Sequence, residues 1–121
     1  MIVRLHHAQI TIPRGAETQA RNFYCHLLGM KEVQKPQSLA GRGGFWLELG
    51  DVQIHVGTED NVDRQQTKAH LAYQVHDLPA WQSKLEENQI KIGDSAPIPG
   101  HRRFEFRDPF GNRVELIEPL P

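Results

Sequence analysis

Four side chains in this sequence are of the types that hold a divalent metal ion: His7, His55, His70 and Glu115. Imidazole nitrogen and carboxylate oxygen suit borderline ions, and a 2-His-1-carboxylate subset leaves coordination positions open for substrate or water. Whether the four converge is a question of parity, because side chains alternate across a strand. Within 3–12, Ala8, Ile10 and Ile12 fall on one face, and His7, Gln9 and Thr11 on the other. Within 70–75, Leu71, Tyr73 and Val75 oppose His70, Ala72 and Gln74. Val52, Ile54 and Val56 oppose Gln53 and His55, and Val114 and Leu116 oppose Arg113 and Glu115. Four segments thus carry an apolar face, suited to packing under a helix, and a polar face with one candidate donor each. A polar face turned to water would show the same parity, so parity alone leaves both readings open.

The elements that must position these residues come in a repeating order. Segment 3–12 reads as a strand stopped by Pro13; 16–28 has apolar residues at helical spacing, with Gly29 as its stop. A short strand at 30–33 leads into a Gly- and Pro-containing loop, 35–44, and a hairpin follows at 45–49 and 52–56 around Gly50-Asp51. After a polar linker the order returns: a strand at 70–75, a helix capped by Asp77 with Leu78, Trp81 and Leu85 on one face, and a short strand at 90–92. A second Gly/Pro loop, 93–100, and a hairpin at 104–107 and 113–117 turning through 108–112 complete it. The chain therefore reads as an α+β domain of two tandem β-α-β-β-β modules: module one 1–57, linker 58–68, module two 69–121. Aligning the halves matches His7 to His70, and matches His55 to Glu115 after a one-residue adjustment in the hairpin.

Composition sets outer bounds. At 121 residues, 38% hydrophobic and 24% charged, the chain suits one soluble globular domain. A formal net charge of -1 gives no reason to expect nucleic acid or an anionic membrane as partner, and no apolar run approaches the roughly 20 residues that span a bilayer. A single cysteine, Cys25, excludes an internal disulfide, so a cytoplasmic setting is the expectation, and without a base partner Cys25 reads as a structural thiol. The Gly41-Arg-Gly-Gly44 run lacks the lysine and hydroxyl of a phosphate-binding loop and precedes a strand, which argues against nucleotide binding. Gln9, Trp46, Arg103 and His101 are candidate substrate contacts. Arg103 could hold an anionic oxygen, or pair across strands with Glu48 or Glu105, and Trp46 with Glu48 is its counterpart in module one. His101 could carry protons at a cavity mouth, or be an exposed loop residue. His6, of opposite parity to His7, reads as a strand-face residue, and His26 and His76 as surface residues.

The order Leu5-His-His-Ala-Gln-Ile-Thr-Ile12, Arg21-Asn-Phe-Tyr24, Leu28-Gly29, Ala69-His70 and Asp108-Pro-Phe-Gly-Asn-Arg-Val-Glu115 resembles the vicinal oxygen chelate superfamily. That group contains glyoxalase I, fosfomycin-resistance thiol transferases, extradiol dioxygenases and bleomycin-binding proteins. The resemblance covers nearly the whole chain. It implies a cup-shaped, eight-stranded half-barrel around a metal cavity, one divalent ion (Ni, Zn, Mn, Fe or Co), and a homodimer whose site is sometimes built from both subunits. His7, His70 and Glu115 match its ligand positions. His55 falls where glyoxalase I enzymes usually carry a glutamate that binds metal and moves the substrate proton, a departure that puts glyoxalase I activity itself in question. The implied activity is that of an isomerase or lyase on a small oxygen-chelating substrate, with His55 and Glu115 as catalytic groups. A non-haem Fe(II) dioxygenase, a thiol transferase and a metal-free, bleomycin-resistance-like binding protein are the alternatives.

Overall fold

A computed structural model describes all 121 residues, which divide into two units, Met1–Val62 and Asp63–Pro121. The first contains β1 (His7–Ile12), α1 (Glu17–Arg21), β2 (Lys31–Val33), β3 (Phe45–Leu49) and β4 (Val52–Thr58). Its sheet has the order β1-β4-β3-β2, with β1 parallel to β4 and the other pairs antiparallel. The second contains β5 (His70–Gln74), α2 (Leu78–Glu87), β6 (His101–Arg107) and β7 (Arg113–Pro119), in the order β5-β7-β6 with β5 parallel to β7. The architecture is α+β, with sheets of four and three strands.

Pairing explains where the strands depart from the sequence reading. The first strand begins at His7 rather than residue 3, because β4 starts at Val52 and offers earlier residues little to pair with. Both hairpins run longer than expected, since β4 follows β1 to the Ile12–Thr58 pair and β6 follows β7 to the His101–Pro119 pair. The expected strand at 90–92 is reduced to one bridge, Gly93 with Glu105. Beyond it Pro97 and Pro99 have no N–H to give, and the Ala96 carbonyl already accepts from Arg103 Nε (2.9 Å) and Nη2 (2.6 Å). The eighth strand does not form.

The first helix also changes pitch. After one α-helical turn, residues Asn22–Leu27 continue as π-helix, with Leu28 N–H bonded to the Phe23 carbonyl at 3.0 Å. Within this stretch the adjacent Phe23 and Tyr24 are both buried in the core. They join Ile12, Ala20, Phe45, Leu47, Ile54 and Val56. Arg21, part of the same motif, grips Glu32 with two N–H donors (2.8 and 3.2 Å) and lays its guanidinium 4.7 Å from the Phe45 ring centre. The second unit has its own core of Leu78, Leu85, Phe104, Phe106, Val114 and Leu116.

Two devices hold the hairpins in register. Gly44 (φ +75°) lies so close to β4 that a Cβ would stand 2.0 Å from the Val56 carbonyl oxygen, so no other residue fits. In the 108–112 turn, Asp108 accepts from the backbone N–H groups of Phe110 (2.9 Å) and Asn112 (2.8 Å).

Helix α2 is tied to β7 through its first turn. Asp77 caps Ala80 N–H, while Glu118 accepts from the N–H groups of Asp77 and Leu78, each at 2.9 Å, and from Arg102 Nε at 2.7 Å. The Arg102 hydrogen bond first, then the two backbone N–H groups, hold the Glu118 carboxyl down at about 2 instead of 4.5. A depressed carboxyl stabilises the fold above its unfolded pKa and loses that contribution as pH falls through its folded pKa. Acid titration followed by circular dichroism is expected to show stability declining between about pH 4.5 and about pH 2, and Glu118→Gln should remove that component. An unchanged acid transition in the variant would contradict this role.

Candidate metal centre

In the first unit the parallel β1–β4 ladder sets Gln9 opposite His55, and the β3–β4 hairpin sets Trp46 opposite His55 from the other side. The Trp46 ring stacks on the His55 imidazole at 3.9 Å and 1°, and His7 stacks on it at 4.2 Å and 17°. His55 is 8% exposed. Burial first, then the neighbouring His7, His6 and Lys35, push its pKa below the ordinary value, which keeps the ring neutral with one nitrogen lone pair available. With the Gln53 amide as oriented, Gln53 Oε1 accepts from His55 Nε2 at 3.0 Å, and the lone pair is on Nδ1. His6 lies outside β1 with its Nδ1 3.0 Å from His7 Nδ1, so one of the two rings donates to the other.

The second unit presents the other pair. Glu115 is 3% exposed, and its Oε1 lies 3.2 Å from His70 Nε2 and 2.8 Å from Arg103 Nη1. His70 Nδ1 is 2.9 Å from the Lys68 carbonyl oxygen, which can only accept, so Nδ1 carries a proton. In the neutral ring Nε2 then presents a lone pair to a carboxylate oxygen. Two acceptors face each other, and a cation between or beside them, a proton or a metal ion, reconciles them. Donors on adjacent positions of one ion, with bonds of about 2.1 Å, sit roughly 3 Å apart, which the pair matches.

The two pairs are equivalent in register without adjustment. His7 opposes Gln53 and His55 follows two residues later; His70 opposes Arg113 and Glu115 follows two residues later. The one-residue adjustment inferred from sequence came from counting along the hairpins rather than across the ladders. Within neither unit do three His, Cys, Asp or Glu side chains come together, so the four candidate ligands fall two and two.

The remaining candidates are distributed unevenly. Gln9 reaches over Gly57, where a Cβ would lie 2.7 Å from its Nε2. With Trp46 and His55 it lines a cavity of about 330 Å³ within the first unit, bounded also by Lys35 and Arg42. Both cations went unassigned from sequence because they lie in a loop read as flexible; that loop instead forms 3₁₀ turns over Gln37–Arg42. Arg103 gives Nε and Nη2 to Ala96 and Nη1 to Glu115, not to Glu48 or Glu105. Its row partner is Ile117, whereas Glu105 opposes Glu115, so the counterpart of Trp46 is Glu105 rather than Arg103. His101 is exposed opposite Pro119, four residues or roughly 13 Å along β6 from the Glu105–Glu115 row. Burial first, then Glu32, raises the Cys25 thiol, in keeping with a structural residue.

This repeated order, β-α-β-β-β in the first unit and β-α-β-β in the second, with a histidine opening each parallel ladder, is that of a glyoxalase-type fold. Residues 4–116 match the model of the Glyoxalase/Bleomycin resistance protein/Dioxygenase superfamily, and the chain belongs to it. A crystal structure of a glyoxalase family protein from Bacillus anthracis is similar at 37% identity and TM-score 0.90, over 98% of this chain and 97% of that one. The fold alone is shared with the fosfomycin resistance protein FosX from Listeria monocytogenes (17% identity, TM-score 0.75, 96% and 91% covered). It is shared likewise with lactoylglutathione lyase from Agrobacterium tumefaciens (17%, TM-score 0.74, 98% and 95% covered). No functionally curated protein matches the chain.

Because Glu115 is buried and shares one oxygen between Arg103 and His70, removing the arginine leaves a carboxylate without its cation. Arg103→Ala is expected to destabilise the protein by about 2–4 kcal/mol in urea unfolding near neutral pH, while adding Glu115→Gln should recover much of the loss. Additive losses in the double variant would show that the pair is not coupled.

Proposed function

We propose that this protein is a metal-dependent enzyme acting on a small substrate that chelates the ion through neighbouring oxygens, with isomerase or lyase chemistry. The observation that carries the reading is the facing of His70 Nε2 and Glu115 Oε1 at 3.2 Å with the His70 proton committed to Lys68. The equivalent register of His7 and His55 supports it. The side chains offered to the ion are His70 with Glu115 in the second unit and His7 with His55 in the first, and its Lewis acidity would supply stabilisation of negative charge developing on a substrate oxygen. The chain's own residues do the rest. His55, neutral and fixed between Trp46 and His7, offers Nδ1 as a ligand or as the acceptor of a substrate proton. Trp46 and Gln9 shape the cavity against it and restrict water.

A homodimer is part of the same reading. β1 and β5 are edge strands of their sheets, with one side of the backbone unpaired in each, and such edges are usually covered. Sedimentation giving the mass of a single chain would contradict it. One observation favours the metal-free alternative: Arg103 already compensates Glu115, so the carboxylate is tolerated without an ion.

Metal content separates the two readings. Protein purified without added metal is expected to contain a divalent ion near one per donor set, and Ni, Mn, Fe, Co or Zn added to stripped protein should raise Tm. Saturation at a hundredfold excess over Kd is worth about 2.7 kcal/mol. His70→Ala should lower occupancy at least tenfold, and metal addition should alter Trp46 fluorescence through its His55 contact. Full occupancy in His70→Ala would show the ligand set to be wrong, and no uptake with no Tm shift would leave the binding-protein reading.

A further inference from the structure

We infer that Lys35 and Arg42 form an oxyanion-holding subsite in the first unit's cavity, so the substrate carries a terminal carboxylate, phosphate or phosphonate. The inference rests on the proposed enzyme reading for what happens at the other end of that substrate, and not for the subsite itself. The cavity, about 330 Å³, is of a size to enclose a small molecule. His55 and Trp46 line it together with Lys35 and Arg42, and no carboxylate does. A small molecule held in it would meet both aromatic rings and two cations.

These cations are free to act on a ligand. Lys35 is half-buried, and its ammonium donates one hydrogen bond, to the Gly43 carbonyl at 2.7 Å, which leaves two donors unassigned. Arg42 is exposed, and neither cation forms an ion pair with a carboxylate. Glu17 borders an adjoining depression that Arg42 also lines, yet its Oε2 turns toward Gly44 N–H at 3.4 Å. Every other arginine of the first unit is engaged: Arg4 with Asp51, Arg14 with Asp60, Arg21 with Glu32. Two cations kept together without an acidic partner beside a cavity are arranged for an anion that arrives from outside.

The loop that carries them is held in place. The Lys35–Gly43 bond closes it end to end, Leu39 N–H bonds the Pro36 carbonyl at 3.0 Å, and Gly44 is pressed on the Val56 carbonyl next to His55. Cation and imidazole are thus set on one strand junction, which fixes the spacing that a substrate must bridge.

The probe is inorganic phosphate, titrated into metal-stripped, full-length protein and followed by Trp46 fluorescence and by backbone amide shifts of Gly43 and Gly44. Saturable binding is expected. Lys35→Met and Arg42→Met should each weaken it about tenfold, the scale of one charge-assisted hydrogen bond. Lys35→Arg should restore most of the affinity, and Lys91→Met, exposed in the second unit, should leave it unchanged. Amide spectra that retain the wild-type dispersion establish that the variants fold. Absence of saturable phosphate binding, or equal weakening by Lys91→Met and Lys35→Met, would overturn the subsite. Metal uptake measured on the same samples keeps the two proposals apart. Normal uptake without phosphate binding refutes the subsite alone, and phosphate binding without uptake refutes the metal reading alone.

Discussion

The parallel ladder between the first and last strands of each unit is the constraint on which the rest depends. It is a pairing of backbone groups, indifferent to side chains, yet it decides which side chains meet. A slip of one residue in β4 would bury His55 under the helix and turn Val56 into the cavity, exchanging every apolar contact for a polar one. Such slips are resisted from both sides. On the apolar side, Ile54 and Val56 in one unit, and Val114 and Leu116 in the other, are packed to a few per cent exposure. On the hairpin side, Gly44 against Val56 and the Asp108 turn fix where each antiparallel return strand begins. The candidate site is thus positioned by residues that are not themselves its donors.

Given that frame, the two donor pairs differ chiefly in charge. His7 and His55 bring no carboxylate, and burial and neighbouring positive groups work against protonation of His55. His70 and Glu115 bring a buried carboxylate, which the fold balances with Arg103. With a carboxylate in place of His55, Trp46 at 3.9 Å would have no imidazole face to stack on. The histidine and the tryptophan therefore belong together as one packing solution. Exchange of either alone removes the reason for the other.

Much of this was legible in the sequence, because period-two alternation with a helix on one side is a strong signal. The parity of His7, His55, His70 and Glu115 followed from their own neighbours, and the repeat followed from the order of elements. What escaped was whatever depends on a partner distant in sequence. Strand ends moved because pairing sets them, as with residues 3–6 and 118–119. The π-helical turn accompanies the burial of both Phe23 and Tyr24, a fact about the core and not about local spacing. Arg103 has the composition of an anion binder, and only the reach of its side chain back to Ala96 and diagonally to Glu115 reveals a structural load. Lys35 and Arg42 were hidden by the opposite error, since glycine and proline content marks a loop without saying what ties it down.

The contrast between these cations separates holding from selecting. Arg103 lies on a strand, holds the Ala96 carbonyl with two donors, and sits against the carboxylate whose orientation the site needs. Moving it to meet a ligand would strip Glu115 of its cation and Ala96 of its donors at once. Lys35 and Arg42 lie on a loop, keep donors unassigned, and can be exchanged without touching either ladder. Strand residues therefore set where donors stand, while the 3₁₀ loop is where the chemistry of an accepted molecule can change at small structural cost. That division lets one pair of ladders serve relatives of differing activities, since a change of substrate need not disturb the register that places the donors.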